Sequence, residues 1–210
     1  MTLVWTACAF LSGSLMFSYW LGRMTRHNLK HVGDGNPGAL NLWKAAGYQI
    51  GLAGIILDFL KGYLVLVWIL GFNLENARIQ GCALIPVALA PIVGHAFSPF
   101  LKGKGGKAIA VTFGVWSALT RFEASIALAI ILAVSLTVAK LITRGKTISS
   151  SADGLQVVVG MLLLGVYLYI SGYVEAILWV WLGNAGLIAY KHRKELAFYL
   201  SKKQSEPGGE

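Results

Sequence analysis

Charge is scarce in this 210-residue chain: Asp, Glu, Lys and Arg together make up 13% of it, against 56% hydrophobic residues. That ratio, with a mean hydropathy of +0.66, excludes a soluble globular domain and leaves room for several apolar runs of about 20 residues, the length that crosses a bilayer. Acidic residues are the scarcer sign, 9 against 18 Lys and Arg, for a net charge of +9. In a membrane protein such an excess marks cytoplasmic loops and contact with anionic headgroups, and no nucleic-acid motif gives it another meaning. The only cysteines are Cys8 and Cys82. Both lie in apolar runs without CxxC spacing or a Cys/His cluster, which argues against a disulfide framework and a metal site. His27 and His31 have the i, i+4 spacing of a zinc pair, but HNLKH lacks the glutamate of HExxH and a third ligand, so neither metal nor cofactor is expected. No GxSxG elbow or Cys/His dyad is readable. The N-terminal apolar run has no basic segment before it, and therefore reads as a retained first span rather than a cleaved signal peptide.

What is abundant is apolar sequence. Helical spans are expected near 3–22, 48–71, 79–94, 108–120, 122–142, 154–171 and 174–190, with 108–142 open to division into fewer. The result is an all-α polytopic membrane bundle of about seven helices. Positive charge tests the division: segments 23–47, 95–107, 140–153 and the tail from 191 carry four, three, three and five Lys/Arg, whereas the alternate connections carry only Arg78 and Arg121. This alternation predicts the N-terminus outside, the C-terminus in the cytoplasm and a plasma (inner) membrane location. It also divides the chain into one membrane domain over 1–190 and a basic cytoplasmic tail over 191–210, whose end, SKKQSEPGGE, has too little apolar surface to pack.

The segment Gly94 to Ala110, GHAFSPFLKGKGGKAIA, is dense in both glycine and lysine. Lysines between spans also follow from the positive-inside bias alone, but that bias does not weave Gly103, Gly105 and Gly106 between Lys102, Lys104 and Lys107. Glycines let successive N–H groups converge on an anion, and the run from Ala108 would set a helix N-terminus behind them, a geometry suited to phosphate. It is not a Walker A loop, since Leu101 stands where the first glycine belongs and Ala108 where Ser/Thr would hold magnesium.

A second polar loop, GDGNPGALNLWK at Gly33 to Lys44, requires a tight turn. It reads either as a linker or, through Asn36, Asn41 and Lys44, as a second half of a site on the same face. Asp58 and Lys61 in LDFLKG share one face of an apolar span. They form either an end-of-helix pair with a snorkelling lysine or a buttress for a polar cavity. His95, His192 and Arg193 follow spans on the cytoplasmic face, where an interfacial role is the simplest reading for a lone histidine.

In order and spacing, GDGNPGALN at 33–41, LDFLKG at 57–62, GHAFSPFLKGKGGKAIA at 94–110 and HR at 192–193 resemble the bacterial acyl-phosphate-dependent glycerol-3-phosphate acyltransferases over most of the chain. The resemblance implies a seven-helix enzyme of phospholipid biosynthesis that makes lysophosphatidic acid from acyl phosphate and glycerol 3-phosphate, within membrane lipid and without an inferable protein partner. On that reading Lys107, Lys104 and the N–H groups of Gly105 and Gly106 hold a phosphate, Lys44 and Arg193 close from neighbouring loops, Asn36, Asn41 and His95 complete the binding set, and His192 orients the acceptor. No group stands out as a general base, so the substrate's own phosphate is the expected proton acceptor. Three positions depart from the family pattern. Asp34 stands where GSGNPGATN has serine, placing a carboxylate that repels phosphate unless protonated or turned away. Lys44 stands for an arginine and loses its fork, and Glu195 stands for the asparagine of HRxN. The nearest candidate for a serine at the start of the fifth helix is Ser125. These departures keep open a non-catalytic paralogue that binds lipid or phosphate. A small-solute transporter is disfavoured by polar motifs gathered at one face rather than mid-membrane.

Overall fold

The computed structural model describes residues 1–74, 81–144 and 150–205, and among these every regular element is an α-helix or a 3-10 turn. Arg78, residues 145–149 of the basic segment 140–153 and the terminal residues 206–210 lie outside the described residues. The helices are α1 (Thr2–Ser14), α2 (Phe17–Met24), α3 (Ala39–Leu74), α4 (Leu84–Ala96), α5 (Ile109–Thr120), α6 (Glu123–Ile142), α7 (Ser150–Ile170), α8 (Glu175–Lys191) and α9 (Arg193–Ser205). Five segments, Thr2–Met24, Ala39–Gly71, Gly81–Leu101, Glu123–Ile142 and Ala152–Ile170, are long and apolar enough to cross a membrane, and Ile109–Thr120 is a shorter apolar helix. Leu64, Ile126, Ile130, Val134, Leu162 and Val166 are exposed on the bundle surface, as suits a lipid-facing wall rather than a wet one.

Three features differ from the sequence expectation, each for a local reason. The first span is broken: Leu15 is extended, with φ −63° and ψ 122°, and its carbonyl, turned out of the helix ladder, accepts from the Lys61 ammonium. Helix α3 begins nine residues before the expected 48, but Gly47 interrupts it with φ 84° and ψ 174°, a conformation glycine adopts without a Cβ clash. The arm Ala39–Ala46 thus leaves the axis of the span and carries Asn41, Trp43 and Lys44 toward the centre. Beyond residue 192 the chain forms α9, which packs against α7, and Glu195 on it joins the central site described below.

Close backbone approach sets the frame. A Cβ at Gly13 would overlap the backbone of Pro91, one at Gly94 the carbonyl of Phe10, and one at Gly114 the carbonyl of Phe59. Small residues therefore bring α1 onto α4 and α3 onto α5, as in other membrane helix pairs. Val111, Val115, Leu66 and Ile92 fill the space between them, fully buried, whereas Trp116 of α5 is buried toward α7 and α8, where its indole donates to Asn184. Between α5 and α6 the chain reverses at Arg121 and Phe122, both left-handed with φ 49° and 72°. The polar loops at 33–38 and 97–108, the start of α7 and the start of α9 meet at the same end of the bundle, as the charge alternation expects.

Candidate functional site

The loop at 33–38 is folded by its own side chains. Asp34 Oδ1 accepts from the Asn36 N–H at 3.1 Å and from Asn41 Nδ2 at 2.8 Å, and Asn41 Nδ2 also donates to the Asn36 carbonyl at 3.0 Å. Asn41, 2% exposed, thereby has its amide group committed to loop shape. The other oxygen of Asp34 faces outward and meets Lys107 Nζ at 2.6 Å, and Glu195 Oε1 meets the same nitrogen at 2.8 Å. One lysine from the glycine-rich loop is thus clamped by two carboxylates, from segments 73 positions before it and 88 after it by chain number.

The charges of this cluster follow from its geometry. Burial raises the Asp34 pKa, but the Lys107 pair and the bonds from Asn36 and Asn41 outweigh it and hold the carboxyl below its ordinary value. Burial likewise raises Glu195, and Lys107 brings it down on balance. Desolvation pushes the Lys107 ammonium down, while its two partners lift it above the ordinary lysine value. All three are ionised at neutral pH, so the carboxylate at position 34 is neither protonated nor turned away: it is neutralised. The expected repulsion becomes competition, since a phosphate and the carboxylates seek the same ammonium. Burial lowers the His192 pKa, which its bond to the Ile188 carbonyl does not offset, so this imidazole is neutral.

Beneath the cluster lies a cavity of about 540 Å³. Its polar end is lined by Asp34, Asn36, Lys44, Lys107, Asp153 and His192, and its apolar end by Ile55, Phe113, Leu132, Leu136 and Val157. Ala108, Ile109 and Ala110, the first turn of α5, also line it. The unbonded N–H groups of that turn and the positive end of the helix dipole therefore face the polar end, an arrangement that favours anions. The cavity joins a charged pole to an apolar slot between α3, α5, α6 and α7, an arrangement suited to an amphiphile.

Not every expected anion ligand faces this cavity. Lys104 is exposed in the loop and is absent from the lining. The Gly106 N–H is engaged by the His95 carbonyl at 3.1 Å, and the Gly105 carbonyl is held by Lys191 Nζ at 3.0 Å. These two glycines give close packing, with a Cβ at Gly105 meeting the His95 carbonyl and one at Gly106 meeting His95 Nε2. With the Gly106 N–H turned onto the His95 carbonyl, the two do not converge on one anion. Arg193 stacks over Tyr190 at 4.1 Å and donates to its carbonyl at 2.8 Å, away from the cavity. Ser125 bonds Ser117 Oγ at 2.8 Å and the Phe122 carbonyl at 2.9 Å, also away from it. His95 does line the cavity. Asp58 and Lys61 prove to be its buttress: they pair at 2.9 Å with side chains 2% and 1% exposed, so the lysine does not snorkel.

Sequence reasoning missed three participants. Asp153 and Gly154 bring the start of α7 to the cavity, and Lys191 ties the Ala96 and Gly105 carbonyls together at 2.9 and 3.0 Å. The pair DG at 153–154, polar residues at the mouth of an apolar run, was the available signal.

The sequence model of the family described as glycerol-3-phosphate acyltransferase matches residues 3–202, nearly the whole chain. The chain belongs to that family. Glycerol-3-phosphate acyltransferase 1 of Thermotoga maritima is 38% identical over 194 residues, covering 91% of this chain and 94% of the relative. The glycerol-3-phosphate acyltransferase of Streptococcus pneumoniae strain Hungary19A-6 is 30% identical over 206 residues, covering 97% and 92%. Among solved structures the fold is similar to PlsY (YgiH), an integral membrane glycerol 3-phosphate acyltransferase. Its glycerol 3-phosphate form aligns with TM-score 0.79 at 25% identity over 99% of this chain and 96% of that one. Its lysophosphatidic acid form gives the same score and identity over 96% and 93%. This acyltransferase fold places the chain in a membrane as a multi-pass protein, and Asp34 and Glu195, two of the three positions at which the sequence departs from the pattern it resembles, are the two that clamp Lys107.

Proposed function

We propose that the protein transfers a fatty acyl group from acyl phosphate to glycerol 3-phosphate, releasing lysophosphatidic acid and inorganic phosphate. The observation that carries this reading is the two-ended cavity, with Lys44, Lys107 and the α5 N-terminus at one pole and an apolar slot at the other. Both substrates bring phosphates, so the protein's work is neutralising charge and aligning the reactants. Lys107 and Lys44 hold phosphate oxygens, with Asn36 at the rim, and the apolar slot takes the acyl chain. The acceptor hydroxyl, oriented by His192, bonds to the acyl carbon as the bond from that carbon to the phosphate oxygen breaks. The hydroxyl proton leaves on inorganic phosphate, which is an adequate acceptor and leaving group without a protein base. Seven crossings, with the N-terminus outside and the cavity mouth at the cytoplasmic face of the plasma membrane, fit the basic segments that converge there. The membrane domain then extends through α9, since Glu195 belongs to the site.

The decisive assay is acyl transfer by the purified full chain from palmitoyl phosphate to labelled glycerol 3-phosphate, with palmitoyl-CoA as comparison donor. Product from acyl phosphate alone is expected; product from the CoA ester alone, or none from folded protein, refutes the reading. The clamp on Lys107 favours one second reading, a paralogue that binds phosphate or lipid without catalysis. On that reading Asp34→Ser with Glu195→Asn, which frees Lys107, creates activity that the unmodified protein lacks.

A further inference from the structure

Two histidines line the cavity, and their hydrogen-bond partners differ in kind. The Lys61 ammonium has three N–H donors and no acceptor. Three acceptors surround it: the Asp58 carboxylate at 2.9 Å, the Leu15 carbonyl released by the break between α1 and α2, and Nδ1 of His95 at 2.7 Å. Because the ammonium donates, His95 Nδ1 must carry the lone pair, and the ring proton resides on Nε2. Ser18 Oγ donates to the other Asp58 oxygen at 2.5 Å and Ser12 Oγ to the Lys61 carbonyl at 2.8 Å, which fixes the pair from the neighbouring helices. The Nε2 edge of His95 lies against Gly106, one residue from Lys107. His192 is set the opposite way: its Nδ1 is 2.9 Å from the Ile188 carbonyl, which only accepts, so Nδ1 holds the proton and Nε2 the lone pair.

We infer that the Asp58–Lys61 pair is a positioning device that locks His95 as a neutral donor, through Nε2–H, to a substrate oxygen in the cavity, opposite a His192 locked as acceptor for the attacking hydroxyl. The substrate roles rest on the proposed acyl transfer; the ring tautomers do not. A charged pair within an apolar span is costly unless something requires it, and here it supplies what a backbone carbonyl cannot, a donor to Nδ1. His95 is thereby excluded as a proton acceptor and suited to the oxygen on which negative charge grows.

Nitrogen-15 NMR of histidine-labelled full-length protein in detergent micelles tests the tautomers, with signals assigned by their loss in His95→Gln and His192→Gln. The expected result is an Nε2–H signature for His95 and an Nδ1–H signature for His192. The double variant Asp58→Asn with Lys61→Met, which leaves neither charge buried alone, shifts His95 to a tautomer mixture and leaves His192 as it was. Lys61→Arg, still a pure donor, preserves the His95 signature. An Nδ1–H or imidazolium signature for His95 in the unmodified protein overturns the inference whether or not any variant folds. Kinetics tests the donor role: glutamine places an N–H near the Nε2 position and asparagine near Nδ1, so kcat of His95→Gln should exceed that of His95→Asn by about tenfold or more, with KM less affected. Equal kcat values refute it. If no acyl transfer occurs while the tautomers stand as described, the functional reading fails and the lock survives.

Discussion

Glu195→Gln removes one of the two negative charges on Lys107 with little change of shape. The amide oxygen takes the place of Oε1, 2.8 Å from Lys107 Nζ, and the amide nitrogen that of Oε2, a buried atom with no hydrogen-bond partner. In the unmodified protein a phosphate reaching for Lys107 displaces or shares it with both carboxylates; in the variant only Asp34 competes. With the Lys107 and Glu195 side chains 18% and 14% exposed, the pair is partly screened and contributes about 1 kcal/mol. Removing that competition should lower KM for glycerol 3-phosphate roughly fivefold, because about 1.4 kcal/mol is tenfold. The change in kcat should stay within about twofold, since this charge is absent from the bond-making step. Initial rates at saturating palmitoyl phosphate, with glycerol 3-phosphate varied, measure this, and the gap between the two proteins should narrow in about 0.5 M salt as the repulsion is screened. An unchanged or raised KM with intact kcat would show that Glu195 does not compete with substrate. A collapse of kcat alone would place it in the chemistry instead.

Gly106→Ala sets a methyl group against His95 Nε2, and His95 cannot retreat without leaving Lys61, so a loss of about 1–3 kcal/mol of stability is expected; thermal unfolding in detergent at an unchanged Tm would contradict this packing. The clamp is insensitive to pH across the neutral range. Asp34 and Glu195, held below 3.8 and 4.5, contribute stability that is present above those values and lost as pH falls through their lower folded ones, whereas Lys107, raised above 10.5, contributes stability lost only as pH rises past its folded value. An acid limb in kcat that is centred below 6.5 and disappears in His192→Gln belongs to His192, whose folded value lies below 6.5; a limb centred above 6.5, or one that persists in His192→Gln and so belongs to the substrate phosphate, argues against that role. For topology, exposed Cys82 lies at the end of α4 remote from His95, so a membrane-impermeant maleimide added outside intact cells should label it and should miss a Lys104→Cys variant lacking Cys82. The reverse pattern inverts the proposed orientation.

How far the sequence was legible depended on how local each signal was. The spans and the convergence of the basic segments rest on hydropathy and on charge counted loop by loop, and α4 to α8 begin and end within a few residues of expectation except at the starts of α4 and α7. The break at Leu15 was hidden because its cause, the Lys61 ammonium, lies 46 residues away. Lys107, Asn36, Lys44, His95 and His192 were recognised as polar motif residues and all reach the cavity. The carboxylate clamp was not foreseen: Asp34 and Glu195 each look unfavourable for phosphate alone, and only their joint approach to one ammonium makes them compatible. Lys104 and Arg193 show the converse, since basic residues inside a motif can face solvent or a neighbouring ring.

The 12 residues of α5 span only about 18 Å, against a hydrocarbon core of about 30 Å. Its far end is marked by exposed Arg121 and Glu123 at the reversal into α6, residues that belong at the water interface. The opposite end, where Lys107 and the first N–H groups meet the cavity, therefore falls short of the level that the longer helices can reach. For the acyl-phosphate donor of the proposed reaction such a recessed site is reached from within the leaflet, so turnover should track the donor's mole fraction in the membrane rather than its solubility in water.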